Sequence, residues 1–360
     1  MKRVFLSIAL IFLAILLSSE TYVKGSVHGK WIDDNSPYII QSDITIDKGN
    51  SLSIQENVKV VVAGNHQITV EGSLIAIGSK NNNIIIKPGK SIKTWKGIVF
   101  KGNNESVLKY AKILNAFNGL DLNNLPVNLD NISLEIEDGS NMSAVHISNN
   151  SKASIKNCFI QGYKNGFTIK NYSAYECLPT INNTNVCPYK YYKGSTTGLR
   201  LDGYVNAQIN NCFFGNFRTG IDIINKTPNT ATPYLQNVLI EAYTTNVNNL
   251  QGIRIEGNII ANLESCIIID YNEGINLITS KSKSITTLSN KFSSDNSSNY
   301  KSNGIIRNKV KNGKITFNNI SSSKYHKVVV VVDDMDILSM LSMNNLIIQN
   351  KHDIIVGYNK

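Results

Sequence analysis

Along most of the chain, apolar and polar residues alternate in bursts of about four to six positions, and no long segment holds the 3.6-residue period of an amphipathic helix. The bursts share a phrase, Gly-apolar-x-apolar, which begins at Gly97, Gly119, Ala144, Gly166, Gly198, Gly220, Gly252, Gly274 and Gly304. Short and long steps alternate along most of this series: Gly198 to Gly220 is a short step and Gly220 to Gly252 a long one. A second marker, an Asn before an apolar or small residue, keeps company with the first at Asn131, Asn157, Asn183, Asn211 and Asn237, yields to Ser265, and returns at Asn290, Asn319 and Asn345. A turn of roughly 22 residues with two or three short strands cannot bury its apolar side alone. Stacking equivalent turns about 4.8 Å apart covers that side. The pattern therefore predicts an all-β fold, a single-stranded right-handed parallel β-helix of about a dozen coils, with Gly198 and Gly220 as vertical neighbours.

At an offset of one short plus one long step, the shift that carries Gly198 onto Gly252, the middle of the chain superposes without a gap. Ala153, Ala207 and Ala261 coincide, as do Cys158, Cys212 and Cys266, while Pro179 meets Pro233. This is the signature of a duplicated two-coil unit. The Asn marker is read as structural: corners between strands need left-handed backbone, which Asn adopts cheaply, and stacked amides can bond up a column. The long coils carry extra residues within 170–197, 224–251 and 278–303, expected to gather on one side of the solenoid as a rim over the neighbouring sheet.

The segment from Ile44 to Phe100, with its phrases EGSLIAIGS (Glu71–Ser79) and WKGIVF (Trp95–Phe100), resembles the opening coils of bacterial exported right-handed β-helix repeat proteins, which are similar in fold to pectate lyases. The likeness spans nearly the whole chain after its first residues. It implies the fold; for function it leaves lyases, hydrolases, epimerases, adhesins and inert binding modules side by side.

Composition agrees with β structure: 42% of residues are apolar and only 17% charged. Residues 1–25 read as a signal peptide, with Lys2 and Arg3 before an apolar run from Val4 to Leu17 that is shorter than the roughly 20 residues of a membrane span. Cleavage fits after Gly25, with Ser18 and Ser19 as alternative sites and an uncleaved anchor as the other reading. The expected organisation is a cap and first coils at 26–96, regular coils with alternating long loops at 97–325, and last coils with a C-terminal cap at 326–360. The destination is the periplasm, cell surface or medium. Loss of residues 1–25 lowers the net charge from +10 to +8, because Lys2, Arg3 and Lys24 leave together with Glu20. A moderately basic exported protein can meet anionic polysaccharide, or be basic for solubility alone. Nucleic acid is not an expected partner, since no recognised binding motif is present.

In each Gly-apolar-x-apolar phrase the x residue points outward, which lines up Asp121, His146, Thr168, Arg200, Asp222, Arg254 and Asn276, with Lys170, Asp202 and Glu256 two positions further on. Unlike charges in vertical register stabilise a sheet. The same column suits a binding groove in which His146, Arg200, Asp222 and Arg254 meet a glycan. For catalysis the candidates are Arg200, Asp202, Asp222 and Arg254: two carboxylates for a glycosidase, or an arginine base with calcium on Asp202, Asp222 and Glu256 for a lyase. No cofactor is expected otherwise. Tyrosines crowd the long loops, at Tyr172, Tyr175, Tyr189, Tyr191, Tyr192 and Tyr243, where rings can stack on sugars or pack against the body. Cys158, Cys212 and Cys266, two coils apart, are expected as buried thiols. Cys177 and Cys187 break the repeat in an exported chain, so a disulfide between them is attractive, while the strand expected between them would hold the sulfurs apart; both readings stay open. The function expected is non-catalytic recognition of a polysaccharide or cell-surface ligand, with a lyase or hydrolase and a structural envelope protein as the alternatives.

Overall fold

The computed structural model describes residues 20–102, 104–123, 126–149, 152–188, 195–242, 250–269, 271, 273–278, 285–293, 304–308, 314–318, 321–323, 328–332, 342–344, 347–348 and 355–358. Its strands pair in parallel with strands one turn away, as a right-handed parallel β-helix. One coil shows the path. Thr197–Gly203 forms face A, Gln208–Asn210 face B, a corner at Asn211 turns the chain, Phe213–Gly215 forms face C, and Thr219–Asn225 returns to face A one rung higher.

Period-two alternation sends every second side chain into the lumen, where like positions stack. On face A the column runs Ile98, Leu120, Val145, Phe167, Leu199, Ile221, Ile253, Ile275, all at most 1% exposed. Parallel columns stand on face B from Leu108 through Ile209 to Leu263, and on face C from Ile113 through Phe214 to Ile268. The face A column counts eight rungs from Ile98 to Ile275, fewer than the dozen coils expected of the whole chain; strands before Gly97 and after Ile278 extend the stack. Pairing also begins before residue 26. The strand Thr21–Ser26 already pairs with Tyr38–Ile46, so cleavage after Gly25 would remove it and the sites at Ser18 or Ser19 would keep it. The apolar run of the N-terminus lies outside the described residues, among which no helix is long and apolar enough to cross a membrane.

Both sequence markers have a physical cause. A Cβ on Gly198 would lie 2.6 Å from the carbonyl oxygen of Gly220, the backbone of the next rung, so this column favours glycine, with Ala144 as its exception. Asn131, Asn157, Asn183, Asn211 and Asn237 all sit at the B-to-C corner with φ between 48° and 56°. Their amides also bond along the axis: Asn183 Nδ2 donates to Asn157 Oδ1 at 3.3 Å and Asn237 Nδ2 to Asn211 Oδ1 at 3.2 Å. Past Ser265 the markers slip by one place. Asn290 pairs with Cys266, and Gly304 stands one position out of the glycine column because Ile306 faces Ile275. Asn319 and Asn345 lie outside the described residues.

Cys158, Thr184, Cys212, Val238 and Cys266 occupy successive rungs of one buried column. Burial pushes these thiols up, to about 12 for Cys158, 11 for Cys212 and 12 for Cys266. Of the two readings for Cys177 and Cys187, the structure has no disulfide. Cys177 bridges Val205 before face B and Cys187 ends a strand of face C, with Thr180–Asn182 and the Asn183 corner between them. Folded protein treated with a thiol reagent should therefore leave Cys158, Cys212 and Cys266 unmodified until it unfolds; modification of any of the three under native conditions would contradict the column.

Candidate functional site

Face A carries the outward column in the expected register: Asp121, His146, Thr168, Arg200, Asp222, Arg254 and Asn276 lie on consecutive rungs. Arg200 spends all three guanidinium nitrogens on carboxylates. Its Nη1 donates to Asp222 Oδ2 at 3.0 Å, and its Nε and Nη2 donate to Asp202 Oδ2 at 3.2 and 2.9 Å. Arg254 Nη1 donates to Asp222 Oδ1 at 3.0 Å and its Nη2 to Glu256, which Lys226 also approaches at 3.5 Å. Asp222, only 6% exposed, is thus clamped between two arginines.

This closure decides the chemistry assigned to these residues. Burial pulls the Arg200 guanidinium down, but the hydrogen bond to Asp202 and the charges of Asp222 and Asp202 outweigh it and hold its pKa above the usual arginine value, so Arg200 is no base. For Asp222 burial is the strongest influence and raises its pKa, more than Arg254 and Arg200 lower it. Asp202, Asp222 and Glu256 direct their oxygens at guanidinium groups, which leaves them badly placed as calcium ligands. The ladder is first an ion-pair network that ties three rungs together.

Along the chain the insertions fall at both corners of face A, where a single rim was expected. Extra residues fall between face A and face B, from 172 to 179 and from 226 to 233, and again between face C and face A, from 188 to 196 and from 242 to 250. Much of the second pair, with Tyr189, Tyr191, Tyr192 and Tyr243, lies outside the described residues. On the first pair Tyr172 and Tyr175 are 66% and 75% exposed. Burial, and then a hydrogen bond with Asp202, raise the pKa of the Tyr172 phenol, which places this ring at the edge of the ladder.

Two residues that hold these loops had no assigned role in the sequence reading. Asn171 is buried; its Nδ2 donates to the carbonyl oxygens of Tyr175 and Tyr204, both at 2.7 Å, and its Oδ1 accepts from Ser173. Asn225 does the same one unit later. The signal was present as Asn-x-Ser/Thr, written at Asn171 and again two coils later at Asn225, with Gly203 and Gly257 one rung above. At Gly203 φ is +95° and a Cβ would lie 2.0 Å from the Asn171 carbonyl oxygen.

Nearer the N-terminus, an open cleft of about 310 Å³ lies over the same face, lined by Asn118, Asp121, Ser143, His146, Thr168 and Lys170 among others. His146 Nδ1 is 3.3 Å from Asp121 Oδ1, and the Ser143 and Thr168 hydroxyls are 2.5 Å apart. The structure thus separates His146 from the arginine ladder by the Thr168 rung while keeping it on the same strip.

Asp222→Ala should lower the unfolding free energy by about 1–3 kcal/mol, since it strands two arginines that stay partly solvated. Gly203→Ala should cost about as much through backbone strain and collision. Denaturant unfolding of each variant checks both; wild-type stability in either would show that the ladder or the loop staple has been misjudged.

The sequence matches no family model and no curated protein. Among solved structures it is similar to an alginate lyase from Paenibacillus sp. str. FPU-7, with a TM-score of 0.38 and 12% identity over 85% of this chain and 94% of that one. It is also similar to a double mutant of the tailspike protein of E. coli bacteriophage HK620, with a TM-score of 0.35 and 10% identity over 95% of this chain and 74% of that one.

Proposed function

We propose that the protein is exported and binds a polysaccharide, without catalysis, in the trough of face A. The observation that carries this reading is a continuous polar column on face A bordered, at the corner with face B, by the insertions 172–179 and 226–233 of alternate coils. An elongated surface with such a rim suits a linear ligand better than a compact one. Fixed arginine and carboxylate pairs offer sugar hydroxyls both donors and acceptors, and exposed Tyr172 and Tyr175 offer ring faces on the rim.

Catalysis finds less support, because the carboxylates and arginines that it needs are engaged with one another. One observation favours it: the Asp121–His146 pair beside the cleft is a geometry from which an imidazole can move a proton. A hydrolase or lyase acting there is the second reading.

A glycan array probed with purified protein should yield ligands whose binding falls about tenfold in Tyr172→Ala combined with Tyr175→Ala, with the unfolding temperature unchanged. Release of reducing ends or unsaturated products, with or without calcium, would move the assignment to an enzyme. An array without any ligand would remove the carbohydrate reading.

A further inference from the structure

The reading of face A as a polysaccharide trough can be deepened to the repeat and charge of the chain it takes, and this step rests on that reading. The loop devices at Asn171 and Asn225 are the same object, two coils apart. Each amide donates to two carbonyl oxygens, Tyr175 and Tyr204 in one case, Asn229 and Asn258 in the other, and each accepts from the hydroxyl of Ser173 or Thr227. The outward column has the same period. His146, Arg200 and Arg254 stand on alternate rungs, Arg307 holds the register position two rungs above Arg254, and Thr168, Asp222 and Asn276 stand between. Asp202 and Glu256, which anchor the two arginines, repeat with the same two-coil period.

Two rungs rise about 9.6 Å. An extended polysaccharide whose successive rings face opposite ways repeats every two sugars over roughly that length. Each disaccharide would then meet an equivalent set of groups, whereas a compact helical or three-fold chain would leave register after one unit.

Charge selects further. At the centre of the strip Arg200 and Arg254 are each closed on two carboxylates, Asp202 and Asp222 in one case, Asp222 and Glu256 in the other. An acidic chain would have to draw Arg200 or Arg254 away from Asp202, Asp222 or Glu256, and the buried Asp222 would then lose the partners that offset its desolvation. Hydroxyl groups can bond to the outer edges of the pairs without breaking them. We infer that face A takes an uncharged polysaccharide with a two-sugar repeat, lying along the solenoid axis in register with pairs of coils.

Calorimetric titration of the full chain with cello-, manno- and chito-oligosaccharides of increasing length, alongside malto-oligosaccharides and oligogalacturonates, tests this. At least one of the neutral extended series should bind, with affinity rising about tenfold for each added pair of sugars rather than evenly with each sugar, and with little dependence on salt. Preference for the malto- or oligogalacturonate series, affinity that rises smoothly sugar by sugar, or ligands on the glycan array that are only charged or compact would overturn the inference and leave polysaccharide binding standing. Absence of binding to every glycan would remove both.

Discussion

Hydrogen bonding between each strand and its equivalent one turn away is the constraint on which the rest of this molecule depends. A single coil has unpaired backbone groups on both edges and an apolar side it cannot cover. Stacking solves both problems together, because the same register that pairs Leu199 with Ile221 also seats one on the other inside the lumen and sets Arg200 against Asp222 outside. The corners must then repeat as faithfully as the strands. Asn supplies that fidelity at the B-to-C corner, where left-handed backbone is tolerated and the side-chain amide bonds to the rung beside it.

From that constraint the site follows. Face A is the face whose two flanking corners lengthen in every second coil, while faces B and C meet at the short Asn corner. The outward residues of face A are bound to be vertical neighbours, and the sequence fills them with opposite charges. Burying Asp222 costs solvation, a cost offset only in part by its two arginines, as its raised pKa records. That network holds donors and acceptors in fixed positions, which is useful for a ligand that presents hydroxyl groups and poor for chemistry that needs a free base or an open metal site.

Much of this was legible in the sequence, because a solenoid writes its contacts as a period. The glycine phrase predicted the register of face A from Gly97 to Gly274, and the Asn marker found the left-handed corners from Asn131 to Asn237. The shared column of Cys158, Cys212 and Cys266 was also readable, since the offset that superposes them is two rungs. What escaped was whatever depends on loop paths or on side-chain direction. Loop length alone did not say that insertions divide between two edges of face A. The pairing of Cys177 with Cys187 stayed open because span in sequence does not fix which corner each thiol occupies. Alternating charges announced a ladder, but only geometry shows that Arg200 has no guanidinium nitrogen without a carboxylate partner. Asn171 and Asn225 were overlooked although Asn-x-Ser/Thr repeats at both, because their amides bond to carbonyl groups of the loop and of the next rung, partners that only the folded loop path brings within reach.

The stacking itself can be measured directly. Lys156, Asn182, Asn210, Gln236 and Glu264 follow one another on face B, so Lys156 and Glu264 are separated by four rungs although they lie far apart in sequence. Spin labels on Lys156→Cys and Glu264→Cys, with Cys187 replaced by Ser, should give a narrow distance distribution centred near the roughly 19 Å that four parallel strand spacings predict for the backbone, widened only by the label arms. A broad distribution, or one centred far from that value, would contradict rung-over-rung pairing and with it the outward column of face A.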